Sequence, residues 1–212
     1  MKIDDIRFVI GAASLEATPR DRRAQVAFIG PSNVGKSSLL NALAGRKAVA
    51  KVSKTPGRTQ QLNFFLVNDA FYLVDLPGYG FAKAPDEVQR RFRRLAEDYL
   101  AGSKALRLLV VLLDVRRDPS ARDVELLTWL RDQRVPHVIV LTKADKVSRP
   151  QLARRAEAVG ASLCDALGAD AVEIMPVSAV TRLGCRELWQ VIGRAAAREG
   201  HGDSPAAASD LS

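Results

Sequence analysis

Residues Gly30-Pro31-Ser32-Asn33-Val34-Gly35-Lys36-Ser37 fit the pattern G-x-x-x-x-G-K-[ST]. This spacing suits a phosphate cradle. The two glycines let the backbone fold around an anion with no Cβ in the way. Successive N–H groups and the positive end of the following helix then face the charge. Lys36 is placed to reach β- and γ-phosphates, and the Ser37 hydroxyl to bind Mg²⁺. Further along, Asp75-Leu76-Pro77-Gly78 ends an apolar run. A carboxylate there can hold Mg²⁺ through water, and the Gly78 N–H can meet the γ-phosphate. Taken alone, D-x-P-G is a common turn. Its place after the phosphate cradle gives it meaning.

Thr142-Lys143-Ala144-Asp145 follows another apolar run. It resembles the [NT]-K-x-D motif of GTP-binding proteins. Guanine presents two adjacent donors, N1–H and the 2-amino group, and one carboxylate can accept both. Adenine has an acceptor at N1 and no 2-amino group, so it would leave Asp145 without partners. A site built this way discriminates by roughly 10⁴-fold or more. The Lys143 stem can cover one face of the base. Val177-Ser178-Ala179 is a weaker signal, in which the Ala179 N–H could bond guanine O6. His137 has no nucleophile to serve, and the two histidines do not suggest triad chemistry.

Short apolar runs alternate with amphipathic stretches, which position these groups. Strands are expected at 26–29, 62–67, 71–75, 106–114, 138–141 and 172–177. Helices are expected at 36–44, 86–100, 120–132, 150–167 and 183–198, with Ser120 as an N-cap. Asn68-Asp69 signals a tight hairpin between the second and third strands. The run at 106–114 suits a strand buried on both faces. Alternation of this kind implies an α/β fold, a mixed, mostly parallel six-stranded sheet with helices on both faces. Ligands in such sheets sit beyond the carboxyl ends of the strands, where each motif falls. The expected organisation is an N-terminal extension at 1–22, a nucleotide-binding domain at 23–198, and a disordered tail at 199–212.

The ordered set GPSNVGKS, TPGRTQ, DLPGYG, TKAD and VSA resembles the five GTPase motifs. The fuller strings VAFIGPSNVGKSSLLNAL, KTPGRTQQLNFF and VDLPGYGFA are similar to the EngB family of bacterial ribosome-biogenesis GTP-binding proteins, a TRAFAC-class group with the P-loop GTPase fold. The resemblance spans about residues 23–198. It implies GTP hydrolysis to GDP and phosphate, a part in large ribosomal subunit assembly, and a link to normal cell division and septation. It adds Gly57, Arg58, Thr59, Gln60 and Gln61 to the nucleotide site and makes Ser37 and Thr59 Mg²⁺ ligands beside Asp75. Thr55 is a rival to Thr59, and the GRTQ context favours Thr59. The residues cast as catalytic are Lys36, Asn33, Thr59 and Gly78. Small regulatory GTPases carry a water-orienting glutamine just after DxxG. Here that position is Tyr79, and Pro77-Gly78-Tyr79-Gly80 reads as a mobile turn. Intrinsic hydrolysis is therefore expected to be slow and to need a partner or an added cation. Asn33 resembles the P-loop asparagine of potassium-activated GTPases; it also reads as a plain turn residue.

The chain has 212 residues, 47% of them apolar, with a net charge of +8. Such a basic excess points to an anionic partner. No apolar run approaches the roughly 20 residues of a membrane span. The acids in MKIDDIRFVI argue against a secretory signal. Cys164 and Cys185 cannot build a disulfide framework or a zinc site. A cytoplasmic monomer is the expectation. Residues 38–68 hold no acid, while Arg46, Lys47, Lys51, Lys54 and Arg58 add five positive charges beside the phosphate cradle. The basic loop expected from Gly45 to Thr59 would meet ribosomal RNA or ribosomal proteins when GTP orders it. Arg90, Arg91, Arg93 and Arg94 are flanked by acids, so they read either as a solvated helix face or, with Phe92, as an RNA-stacking surface. Two other readings stand beside the GTPase: a P-loop phosphotransferase such as a nucleotide kinase, and a nucleotide-gated scaffold with negligible turnover.

Overall fold

The computed structural model describes residues 3, 5–45, 61–79 and 86–198. Among them, strands β1 (Ile6–Ala12), β2 (Gln25–Ile29), β3 (Leu62–Val67), β4 (Phe71–Asp75), β5 (Leu106–Asp114), β6 (His137–Thr142) and β7 (Ile174–Pro176) form one sheet. Its order is β1-β3-β4-β2-β5-β6-β7. The strands from β4 to β7 in that order are parallel, whereas β1 and β4 both run antiparallel to β3.

The sheet therefore has seven strands rather than the expected six. The addition is β1, from the N-terminal segment. Its register shifts between Phe8 and Ile10. That bulge breaks the alternation of inward and outward side chains, so Phe8, Val9 and Ile10 are all exposed. A strand without a period of two gives no clear pattern in sequence. The hairpin between β3 and β4 is as expected. Asn68 and Asp69 both take positive φ, 48° and 52°, and the Ala70 N–H donates to the Val67 carbonyl at 2.8 Å. This is a primed turn, whose twist matches the flanking strands.

Helices α1 (Lys36–Leu43), α2 (Asp86–Gly102), α3 (Ala121–Asp132), α4 (Arg149–Leu167) and α5 (Cys185–Ala197) cover both faces. In β5, Leu108, Val110 and Leu112 point to one face, where they join Leu40 of α1 and Trp189 of α5 in one core. Leu109, Val111 and Leu113 point to the other face and meet Tyr99 of α2, Leu127 of α3 and Leu163 of α4. Ser120 and Asp123 form a reciprocal capping box at the start of α3. Ser148 and Gln151 do the same for α4. No helix of the described residues is long and apolar enough to cross a membrane.

Candidate functional site

The chain leaves β2 at Gly30 and must turn sharply over β5. A Cβ on Gly30 would stand 2.8 Å from the Leu112 carbonyl oxygen, so only glycine lets the loop pass. Gly35 takes φ of 104°, which a side chain would strain, and α1 opens directly on Lys36. Val34 is buried and anchors the loop from below. The Lys36 ammonium donates to Asp75 Oδ1 across the cradle. Asp75 ends β4, and the next N–H, on Leu76, donates to the Phe28 carbonyl at 3.0 Å.

Gly78 lies so close to the cradle that a Cβ there would stand 3.0 Å from the Gly30 carbonyl oxygen. After Pro77, where the sequence predicts a mobile turn, the Tyr79 main chain is hydrogen-bonded to the cradle. Its N–H donates to the Gly30 carbonyl at 3.2 Å, and its own carbonyl accepts the Ser32 N–H at 3.0 Å. These bonds continue the β2–β4 ladder as a bridge between Pro31 and Tyr79. Ladder bonds of this kind join main chains, so no side-chain pattern announces them.

On the base side, the Thr142 hydroxyl lies between the Val34 carbonyl at 2.6 Å and the Leu113 carbonyl at 3.0 Å, which share its single proton. Thr142 thus ties this loop to the phosphate cradle. Lys143 adopts the left-handed conformation. Its ammonium donates to the Asn33 carbonyl at 2.6 Å and to Asp114 Oδ2 at 2.9 Å. Asp114 is itself gripped by the Arg116 guanidinium, through Nε at 2.9 Å and a terminal nitrogen at 2.7 Å. Burial alone would raise the Asp114 carboxyl, but the bonds from Arg116 and Lys143 overcome it and hold it well below the usual carboxylate range. The Ala144 N–H donates to the Val177 carbonyl at 3.2 Å. The fully buried Ser178 donates its hydroxyl to Asp145 Oδ1 at 2.7 Å. That bond is the main cause that lowers the Asp145 carboxyl, so Asp145 is ionised at neutral pH. Ala179, half-buried, follows directly.

The structure thus gathers the 30–37, 75–78, 142–145 and 177–179 segments at the carboxyl end of the sheet. Asn33 is exposed at φ of 65°. Ser37 sits in the first turn of α1. Gln61 lies against Gly11 of β1, at the antiparallel edge. Gly57, Arg58, Thr59, Gln60, the rival Thr55 and the basic residues from Arg46 to Arg58 fall outside the described residues, as does the tail. A cleft of about 250 Å³ flanks the cradle, lined among others by Ser32, Asn33, Arg117 and Lys143. Sequence reasoning missed Asp114 as the brace of Lys143, and Asp123 as the partner of Tyr79. The available signal was an acid ending the buried strand beside the lysine-bearing loop.

The cradle fits a nucleotide phosphate chain and its Mg²⁺. It is closed to side chains at Gly30 and Gly78, and an ammonium and a carboxylate face each other across it. Residues 25–143 match the family model described as 50S ribosome-binding GTPase, and 93–197 match the elongation factor Tu GTP-binding domain. Fold and family models together define a P-loop GTPase. Among curated relatives, the probable GTP-binding protein EngB of Clostridium kluyveri is 41% identical over 192 residues, which cover 91% of this chain and 96% of that protein. The counterpart from Geobacter sulfurreducens is 43% identical over 204 residues, 96% of this chain and 97% of its own. A crystal structure of a probable EngB protein shares the fold, with a TM-score of 0.65 at 24% identity over 82% of this chain and 98% of that one. The chain belongs to the EngB family of GTP-binding proteins.

Proposed function

We propose that this GTPase is a switch acting in large ribosomal subunit assembly in the cytoplasm, with consequences for cell division and septation. The observation that carries the nucleotide reading is the Asp145 carboxylate, oriented by the buried Ser178 hydroxyl. Asp145 would accept both guanine donors, while the Lys143 stem covers the base and the Ala179 N–H meets O6. The cradle amides and Lys36 would hold the phosphates. Ser37, Thr59 and, through water, Asp75 would hold Mg²⁺, which neutralises charge on the phosphate oxygens. Water attacks the γ-phosphorus, the bond to the β–γ bridging oxygen breaks, and GDP and phosphate leave. Gly78 would donate to the γ-phosphate. Tyr79 cannot orient the water as a glutamine does, so turnover is slow without help. Asn33 is cast as the ligand of a K⁺ ion that supplies the missing charge. The ribosomal reading is supported by the description of the matched family model and by the acid-free stretch 38–68 with its five basic residues.

Phosphate release from GTP and ATP, in K⁺ and in Na⁺ at equal ionic strength, tests this account. It expects release to water from GTP alone, faster in K⁺, with the K⁺ effect lost in Asn33→Ala. Equal rates in both salts would remove the K⁺ role. Phosphate found on an organic acceptor would favour a phosphotransferase, and release at background would favour a scaffold.

A further inference from the structure

Tyr79 occupies the position after DLPG and is held at both ends. Its main chain bridges the cradle through Gly30 and Ser32. Its hydroxyl donates to Asp123 Oδ1 on α3 at 2.6 Å. The other Asp123 oxygen accepts the Ser120 N–H at 2.6 Å, so one carboxylate caps the helix and receives the tyrosine. Asp123 is buried. A hydrogen bond to a buried carboxylate is among the stronger ones a protein makes. Burial, and then the Asp123 charge, push the Tyr79 hydroxyl far above its ordinary value, so it remains a donor at every working pH.

We infer that the Tyr79–Asp123 bond is a latch that sets the preference of the site between GTP and GDP, with Asp123 as a positioning residue. In the latched arrangement the Gly30 carbonyl and the Ser32 N–H are both taken by Tyr79. Lys36 meets the β-phosphate of either nucleotide, but only a γ-phosphate needs the Gly78 N–H; Gly78 is held against Gly30 by the Tyr79 main-chain bonds, so the segment from Asp75 to Tyr79 must shift for GTP. GDP makes no such demand. The latch therefore taxes GTP alone, because a ligand moves an equilibrium only by its differential affinity for the two states.

The test is Tyr79→Phe in the full chain, which removes the hydroxyl and keeps the ring. Fluorescent GTP-analogue and GDP titrations in Mg²⁺ buffer give the ratio of the two affinities. Loss of one charge-assisted bond should raise the GTP:GDP affinity ratio by about tenfold. Trp129 lines a small cavity with Tyr79, so its fluorescence should change when GTP, but not GDP, binds the wild type. Trp189 is packed on the opposite sheet face and supplies a steady background. Leu130→Val trims a fully buried side chain of α3 seven residues beyond Asp123 and leaves the Tyr79–Asp123 bond in place. It should lower the melting temperature and leave the ratio alone. An unchanged ratio in Tyr79→Phe, or a shift toward GDP, would overturn the latch. An equal shift in Leu130→Val would reduce it to general loosening of α3. The inference rests on the GTP-site reading above, and failure of the wild type to bind either nucleotide would overturn both.

Discussion

At the scale of single residues, Asp145 makes the sharpest prediction. Its carboxylate offers two acceptors, which match the two donors of guanine. Asp145→Asn replaces one acceptor with an amide donor. Xanthine carries a carbonyl where guanine has its 2-amino group, so the variant should lose GTP by about 10⁴-fold and gain affinity for xanthosine triphosphate. Competition titrations with the two triphosphates check this; unchanged GTP affinity would remove Asp145 from the base site. Ser178→Ala should be milder. It leaves the carboxylate in place but drops the bond that orients it, with an expected loss of about tenfold in GTP affinity.

At the scale of elements, the bond from Asp114 at the end of β5 to Lys143 after β6 joins two adjacent strands to the cradle. Its carboxyl lies below the ordinary value of 3.8 in the folded chain. Between the two values the unfolded chain binds the proton and the folded chain does not, so stability rises with pH there. The contribution is complete above about pH 5 and is lost as the pH falls through the folded value. Asp114→Asn should cost about 2 kcal/mol at neutral pH, or roughly 4–8 °C in melting temperature. The gap to the wild type should narrow as melting is repeated toward pH 3; a pH-independent gap would contradict the assignment.

The same scale shows what sequence reveals. Strand β5 was legible because burial on both faces leaves a continuous apolar run. The β3–β4 hairpin was legible because Asn68 and Asp69 tolerate positive φ. The cradle was legible because its glycines are required by contacts such as Gly30 on Leu112. Strand β1 was hidden by its bulge, which turns three large apolar side chains outward in succession. The Tyr79 bridge was hidden because it is built from main-chain atoms. The brace on Lys143 was hidden because Asp114 is distant from it in sequence, and only the parallel pairing of β5 with β6 makes the two neighbours.

At the scale of the whole molecule, the charge is unevenly placed. Five basic residues and no acid fall in residues 38–68. Replacing Lys47 and Lys51 with Ala should weaken binding to large-subunit particles and make its dependence on log salt shallower by roughly 1–2. GTP affinity should stay unchanged; its loss would place those charges in the nucleotide site.

The central claim is that nucleotide state controls attachment to the ribosomal particle. Co-sedimentation of the full chain with large ribosomal subunits, under GDP, GTP and a non-hydrolysable GTP analogue, tests it most directly. The account predicts retention with the analogue, release with GDP, and intermediate binding with GTP as it is hydrolysed. Equal binding under all three, or no binding under any, would contradict it.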